Sequence, residues 1–246
     1  ANLTPEDPTA PMAVAIRRTT HQSHAKTDRS EQYNGTTGRW ERPMVLESRV
    51  DYDRGAVYAQ IRFDTGDRSL ERTVYGTDGV VAARGDNVGM YGTRSLQIRD
   101  VREPWVAIVG HSFDELEGDQ RSLEPADAHA GWTLRSANES TLVYAITDPA
   151  DFHDIRLGVY TPPPTEEGIT YRTDSEVRAV LDRDRGTIDR VVKRAHFEDR
   201  FGDEVEVRNR RSTITYRNIG NVTVDRPDSL SGPGPLEILW DAVHYA

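Results

Sequence analysis

Alternation of apolar and polar positions is clearest in the C-terminal third of the chain. Between Ile169 and Asp182 most apolar side chains share one parity and most charged side chains share the other. A period of two residues is typical of a strand that buries one face and exposes the other. The pattern therefore predicts a strand here, then a hairpin turn at Asp182–Gly186 and a returning strand at Thr187–Phe197.

The strands that follow contain irregularities in this pattern. In the returning strand the apolar residues change parity partway, which predicts a β-bulge or a change of face. A third strand is predicted from Glu204 to Arg217, and its parity also changes, so a second irregularity is expected near Asn209–Arg211. Together the three strands predict an antiparallel sheet.

Strand–turn units also fill the first half of the chain. Two strands flank the turn Asp51–Gly55, the first broken near Pro43 and the second with its apolar residues on one face. Shorter strands are predicted at Leu70–Tyr75 and Val80–Arg84, and a strand pair within Gly131–Ile146. Units repeating every eight to twelve residues or so indicate an antiparallel sheet.

The two ends of the chain differ from the sheet. Residues 1–11 contain three prolines, which predicts a flexible tether. From Met12 to about Asp28 neither Gly nor Pro occurs, which predicts a helix, although alternation of the first apolar residues leaves a strand as the alternative. Residues 12–228 are expected to form one domain. Residues 229–246 are expected to be a docking segment, either a helix or an added edge strand.

The C-terminal strands also resemble a known family. The stretch VRAVLDRDRGTIDRVV (177–192), a charged hairpin, and then TITYRNIGNVTVDRP (213–227) are similar to the C-terminal half of the LolA/LppX-like lipoprotein-carrier superfamily. The likeness is closest to surface lipoproteins of this type in salt-loving archaea. These motifs are turns and strands, so the resemblance implies a fold: an α+β, β-rich domain whose strongly curved antiparallel sheet forms an incomplete barrel with a few capping helices.

The resemblance also implies a groove, since proteins of this superfamily hold acyl chains on the concave face of the sheet. Apolar residues of two strands would line the groove, and a segment of mixed apolar residues from Trp105 to Leu116 would cap it. The candidate groove residues are Val57, Ala59, Ile61, Phe63, Trp105, Val109, Phe113, Val177, Ala179 and Leu181. The alternative is that the same side chains pack a solid core.

Charge and composition narrow the class of protein. Acidic residues number 41 against 31 basic residues, the net charge is −10, and Lys26 and Lys193 are the only lysines. Abundant carboxylates with almost no lysine indicate adaptation to high salt, where a Debye length of about 3 Å weakens self-repulsion. An Arg-rich protein from a high-GC genome is the alternative. No basic patch stands apart from the acidic residues, so nucleic-acid binding is not expected.

Several features predict an extracellular or cell-surface protein. The chain has no cysteine, and so neither disulfides nor thiolate metal sites, and it has no apolar run long enough for a membrane span. A start at Ala followed by a proline-rich stretch is typical of a secreted chain whose signal peptide has been removed. The candidate N-glycosylation sites are Asn2, Asn34, Asn138 and Asn221. The resemblance implies tethering at the surface, through a lipid or within an assembly.

Candidate calcium loops in the sequence are incomplete. The turns Asp51–Gly55 and Asp182–Gly186 both resemble the beginning of such a loop. A complete loop has a bidentate Glu at its twelfth position, but that position is Arg62 in one and Lys193 in the other. Both stretches are therefore predicted to be hairpin turns.

Catalytic and other metal-binding motifs are equally weak. Gly110–Asp114 brings His, Ser and Asp together, but it lacks the glycine spacing of a nucleophile elbow. A helix N-cap explains its Ser or Asp better. His21 and His24 have a spacing that suits two metal ligands on a helix, but no third ligand can be identified. We expect no catalytic residues, no metal and no cofactor.

Two functions fit these observations. The first is a secreted, non-enzymatic cell-surface protein of LolA/LppX-like fold that binds a lipid or another hydrophobic ligand. The second is a glycosylated structural or interaction subunit of an extracellular assembly, such as a surface layer, filament or virion. That subunit would bind other protein chains through open edge strands and the C-terminal tail.

Overall fold

The structure of the protein is a computed structural model that describes residues 8–64, 69–77, 80–85, 123–155, 157 and 161–225. Within these ranges the chain forms two α-helices, one short 3₁₀ helix and eleven strands. In chain order these are α1 (Thr9–Thr20), β1 (His24–Asn34), β2 (Arg39–Asp51), β3 (Ala56–Asp64), β4 (Ser69–Thr77), β5 (Val80–Gly85), the 3₁₀ helix (Pro125–His129), β6 (Thr133–Ala137), β7 (Thr141–Ile146), α2 (Pro149–Asp154), β8 (Ile169–Tyr171), β9 (Glu176–Asp182), β10 (Thr187–Phe201) and β11 (Glu204–Arg217).

All the strands of the described ranges belong to one antiparallel sheet. Their order is β5-β4-β3-β2-β1-β11-β10-β9-β7-β6, and β8 pairs with β10. The first strand of the chain lies at the centre, because β1 pairs with β2 on one side and with β11 on the other. With β5 and β6 at opposite ends, the sheet does not close into a barrel. The predicted fold class, an open antiparallel sheet with few helices, is confirmed.

Helix α1 begins earlier and ends earlier than predicted. It starts at Thr9, and Pro11 fits in the first turn because the N–H groups there have no intrahelical acceptor. The last three residues of the predicted tether are therefore helical. The predicted continuation to Asp28 is wrong, since β1 begins at His24. The β1 sequence lacks large apolar residues until Tyr33, so its own pattern gives no strand signal.

The predicted irregularities in the C-terminal strands are partly confirmed. The register between β10 and β9 shifts between Ile188 and Arg190, which is the predicted bulge. The expected irregularity near Asn209–Arg211 is wrong, because β11 pairs with β10 without a shift from Glu204 to Thr215. The parity change there has another cause: the first residues of β11 are exposed on both faces.

The strand predicted from Ile169 to Asp182 is two strands. Residues 172–175 interrupt it, and β8 and β9 pair separately with the same neighbour, β10. The predicted break near Pro43 takes the form of a bulge, since the β1–β2 register shifts between Ser30 and Gln32. Pro43 lacks an N–H for the ladder, so a bulge accommodates it without losing a hydrogen bond.

The two Asp-rich turns are hairpin turns. In the first, Asp51 Oδ1 accepts a hydrogen bond from Arg54 N at 3.1 Å. In the second, Asp182 Oδ1 accepts hydrogen bonds from the N–H groups of the residues two and three positions later, both at 2.9 Å. Gly186 closes that turn with φ of +64°, a conformation that favours glycine. No helix in the described ranges is long and apolar enough to cross a membrane.

Candidate functional site

The groove candidates of β3 and β9 whose side chains are described lie on one face of the sheet. Directly opposite residues of an antiparallel pair point to the same side. One such row crosses the sheet from β9 to β3 through Ala179, Val191, Ile214, Asp28, Leu46 and Ile61. Alternation along each strand then brings Val57, Ala59, Val177 and Leu181 to the same face, which we call the interior face.

The interior face carries two separate apolar patches. The β9 patch consists of Val177, Ala179 and Leu181, which are fully buried in the main core. That core also contains residues of both helices, so the described helices cover the β9 patch. The β3 patch consists of Leu46, Ala59 and Ile61, and no helix residue of the described ranges belongs to its cluster. Leu46 and Ala59 are fully buried, whereas Ile61 is half-buried.

The other groove candidates lie elsewhere. Val57 is buried with Val50 in a small cluster of its own. The backbone of Phe63 pairs with Met44, but the described part of the structure does not include the Phe63 side chain. The capping candidates Trp105, Val109 and Phe113 lie outside the described residues. The structure thus brings together parts of the predicted lining, and the groove itself stays a prediction.

A band of polar side chains, which we call the polar band, separates the two patches. Its members lie on β10, β11, β1 and β2, and each has 7% or less of its surface exposed. They are His24, Lys26, Asp28, Ser30, Ser48, Lys193 and Ser212. The register places Lys193, Ser212 and Ser30 in one row and Lys26 and Ser48 in another. Both lysines of the chain therefore lie in the interior.

Hydrogen bonds fix several members of the polar band. Ser212 Oγ donates to Asp28 Oδ1 at 2.6 Å. Lys193 Nζ donates to the Ile155 carbonyl oxygen at 2.7 Å, which ties β10 to the residue that caps α2. His24 Nδ1 lies 2.7 Å from the Gln22 carbonyl oxygen, so the proton of the neutral ring is on Nδ1. Buried polar groups need such partners to offset lost hydration.

Burial shifts the pKa values of two groups in the band. Loss of hydration raises the pKa of Asp28 above its usual value, and the Ser212 hydrogen bond and the charge of Lys26 only partly oppose this. Loss of hydration lowers the pKa of His24 to about 4, the hydrogen bond to Gln22 opposes the shift, and the Lys26 charge adds to it. Both side chains therefore favour the neutral form.

Replacing Asp28 with asparagine should remove a loss of stability that accompanies rising pH in the wild type. Because the pKa of Asp28 is higher in the folded state, its contribution is fully present below about pH 3.8 and is lost as pH rises through the folded pKa. Asn cannot ionise, but it keeps an oxygen that accepts from Ser212. Urea unfolding at several pH values between about 4 and 7 should show that the change in unfolding free energy from pH 4 to pH 7 is more positive for Asp28→Asn than for the wild type, because the variant lacks the loss due to Asp28 while His24 still titrates.

The exposed turn residue Asp184 provides the control for this measurement. Asp184→Asn removes one carboxylate from the surface and should leave the pH dependence of the wild type unchanged. Equal slopes for Asp28→Asn and the wild type would contradict the assignment of Asp28 as a buried, titrating carboxyl group.

On the outer face, a carboxylate binds a histidine ring. Asp174 Oδ1 lies 2.8 Å from His196 Nδ1, and Asp174 Oδ2 lies 2.8 Å from an Arg194 nitrogen. Burial raises the pKa of Asp174, but His196 and Arg194 together outweigh it and hold the pKa below its usual value. The neighbouring Ser175 hydroxyl bonds to the backbone of His196 instead of its ring. The arrangement supports the break between β8 and β9 and does not align a nucleophile.

The described ranges contain no group of three or more His, Asp or Glu side chains that could hold a metal ion. His21 caps the end of α1 and His24 lies in β1, so the two residues are not on one helix. The stretch Gly110–Asp114 lies outside the described residues.

Three of the four predicted glycosylation sites can be located. Asn138 is exposed in the β6–β7 turn, where its Oδ1 accepts a hydrogen bond from Thr141 N at 2.7 Å. Asn221 is exposed after β11, and Asn34 is half-buried at the end of β1. Asn2 lies outside the described residues. Glycosylation at these positions stays a prediction.

A surface depression of about 490 Å³ lies beside α1. Its lining residues are Ala13, Val14, Arg17, Arg18, His21 and Gln22. The guanidinium of Arg18 donates to the Arg185 carbonyl oxygen at 3.0 Å, which ties this side of the helix to the β9–β10 turn. None of its lining residues is a candidate groove residue.

Sequence reasoning missed the polar band. The core parity of β1 carries His, Lys, Asp and Ser, so no apolar alternation marks it as a buried strand. The available signal was the scarcity of lysine: Lys26 and Lys193 are the only two in an Arg-rich chain, and both are buried.

Comparison with known proteins gives matches among solved structures only. No family model matches the chain, and no curated protein matches it. Similar solved structures include MucB in a complex with MucA(peri), with a TM-score of 0.33 and 15% identity over 93% of this chain and 60% of that chain. A LolA superfamily protein from Nitrosomonas europaea gives a TM-score of 0.30 and 9% identity over 92% of this chain and 98% of that chain.

The similar structures thus include a member of the superfamily that the sequence resembles. At these TM-scores the likeness carries no conclusion about function. The match to MucB spans 60% of that protein's chain. The narrower resemblance to surface lipoproteins of salt-loving archaea stays a prediction.

Proposed function

We propose that this chain is a non-enzymatic protein of the cell surface that holds a lipid or another hydrophobic ligand against the interior face of its sheet. The observation that carries the proposal is the β3 patch. Its three apolar side chains lie on the interior face, away from the core that the described helices cover. Leu46 and Ala59 are fully buried and Ile61 is half-buried, so an acyl chain would contact Ile61 first and reach the other two side chains from there.

The polar band adds a second element to the proposed site. It lies beside the β3 patch, since Asp28 is directly opposite Leu46 and Ser48 is directly opposite Ala59. A ligand with an apolar chain and a polar end would contact both surfaces. Half-buried Ile61 lies nearest to solvent within the patch, so we propose that the ligand enters there.

Changing Ile61 to aspartate tests the proposal. A carboxylate at this position would have to be desolvated against an acyl chain, which costs at least about 1.4 kcal/mol, or tenfold in affinity. The probe is cis-parinaric acid, a fluorescent long-chain fatty acid, titrated into the folded protein. We expect saturable binding to the wild type and binding weaker by about tenfold or more to Ile61→Asp.

Val45→Asp provides the matched control. Val45 is also a half-buried aliphatic residue and lies next to Leu46 on β2, but it points to the outer face. This variant should bind the probe as the wild type does. Failure of the wild type to bind, or equal weakening in both variants, would overturn the proposal. Native mass spectrometry of the purified protein would show whether a ligand co-purifies.

The proposed setting is extracellular and of high salt, with the chain anchored at the surface or held in an assembly. Support comes from the excess of 41 acidic over 31 basic residues and from the four sequons. Glycosylation would be tested by intact-mass measurement before and after deglycosylation of protein from its native source. The alternative role, a structural or interaction subunit of an assembly, is favoured by the apolar side chains exposed at the end of β10 and β11.

A further inference from the structure

The hairpin of β10 and β11 extends past its neighbour β1. Pairing between β1 and β11 ends at Gln32 and Arg210, whereas pairing between β10 and β11 continues to Phe201 and Glu204. On the β1 side, residues 204–209 of β11 therefore have no strand partner within the described ranges. An edge of this kind offers its backbone N–H and C=O groups to another strand.

Apolar side chains are exposed at this end of the β10–β11 hairpin. Phe201 has 67% of its surface exposed, Val205 has 46% and Val207 has 52%. Large apolar residues in the rest of the described chain are mostly buried. Exposed β-branched residues on an open edge favour strand addition, because the added strand covers them.

The charged residues of this segment are separated by sign along the strand, with the acidic ones first. Glu204 and Glu206 come first and Arg208 and Arg210 follow, and all four share one face of the strand. Val205 and Val207 lie on the other face. A second copy of the segment running antiparallel, centred on Val207, would place Glu206 of each copy opposite Arg208 of the other.

This register is favoured over its neighbours. In an antiparallel pair, directly opposite side chains point to the same face of the sheet. When a two-fold axis relates the two strands, the pairing must therefore be centred on a residue and cannot be centred between two residues. Centring on Glu206 would place two glutamates opposite each other, and centring on Arg208 would place two arginines opposite each other. Centring on Val207 pairs Glu206 with Arg208 twice, places Val207 opposite Val207, and avoids the like-charge contact at the centre of either neighbouring register.

We propose that β11 is a self-association edge, through which two copies of this chain pair antiparallel at residues 205–209 into a continuous sheet. The partner is a second copy because the charge order of the segment is complementary to itself. The proposed pairing does not depend on the proposed ligand binding, which involves β2 and β3 instead of β11.

Charge reversal tests the proposed pairing by sedimentation velocity. At moderate ionic strength, where the Debye length is about 10 Å, we expect the wild type to form a concentration-dependent dimer. Glu206→Arg would oppose Arg to Arg, and Arg208→Glu would oppose Glu to Glu, twice in each dimer. Either change alone should raise the dimer dissociation constant by about tenfold or more.

Mixing the two variants gives the decisive result. An equimolar mixture of Glu206→Arg and Arg208→Glu should form a heterodimer, because each chain then opposes unlike charges on the other. The variants also break an internal ion pair, in which an Arg208 nitrogen lies 2.7 Å from Glu206 Oε2. Mixing cannot restore that internal pair, so recovery of the dimer would be due to pairing between chains.

Glu176→Arg is the matched control. Glu176 makes the same kind of internal pair, at 2.6 Å to Arg178, but β9 has strand partners on both sides. This variant should dimerise as the wild type does. A monomeric wild type, undiminished dimers of the single variants, or a mixture that stays monomeric would each overturn the proposal.

Discussion

Replacement of Leu181 by alanine is expected to lower the free energy of unfolding by about 2 to 5 kcal/mol. Leu181 is fully buried on β9, directly opposite Leu142 on one side and Ile188 on the other. The substitution removes apolar contacts and leaves a cavity among strands that pack on both sides. Urea unfolding followed by circular dichroism would measure the loss, with the slope against denaturant unchanged.

The size of this loss also decides between the two interpretations of the β9 patch. If Leu181 lines an open groove, truncation costs far less, because no closed cavity forms. Val180→Ala is the control, since Val180 lies on the same strand, half-buried on the outer face. Its expected cost is about 1 kcal/mol. Similar small losses for both variants would contradict the solid-core interpretation of this end of the sheet.

Acidification from about pH 7 to pH 4 is expected to cost about 3 kcal/mol of stability through His24 alone. The pKa of His24 falls from 6.5 to about 4 on folding. Between these values the unfolded chain binds a proton that the folded chain does not bind. Stability from this group is therefore fully present above about pH 6.5 and is lost as pH falls toward 4.

The contribution of His24 can be isolated by difference, because Asp28 changes stability in the opposite direction over the same range. His24→Asn keeps a side-chain N–H that can donate to the Gln22 carbonyl oxygen, but it does not titrate. The difference in unfolding free energy between pH 7 and pH 4 should be about 3 kcal/mol smaller in this variant than in the wild type.

Exposed His129 serves as the control for this prediction. His129→Asn removes a histidine from the 3₁₀ helix and should retain the pH dependence of the wild type. A His24→Asn variant that loses stability in acid as steeply as the wild type would contradict the assignment of a buried, neutral His24.

The strands that could be predicted are those with one buried apolar face. In β9 the alternation of Val177, Ala179 and Leu181 fixes which side chains are internal, because strand periodicity is a local property. The Asp-rich turn before β10 is local as well, since Asp182 forms hydrogen bonds with the backbone two and three residues later. Neither feature depends on contacts distant in sequence.

Pairing between distant strands could not be predicted in this way. Asp28 and Ser212 form a hydrogen bond although they are 184 positions apart in the sequence. They come together because β1, near the beginning of the chain, pairs with β11. A polar residue on a strand has the same local pattern whether it faces solvent or the interior. Only the neighbouring strands determine which of these surroundings it has.

The fold class, most of the hairpins and the alternation within each strand of the two apolar patches follow from the sequence, because short-range alternation and turn chemistry are local properties. The tertiary structure alone decided that β1 lies at the centre of the sheet, that a buried polar band separates the patches, and that β11 extends past β1. Each of these depends on register between segments far apart in the chain, and the hydrophobic pattern of a single strand carries no information about its partner.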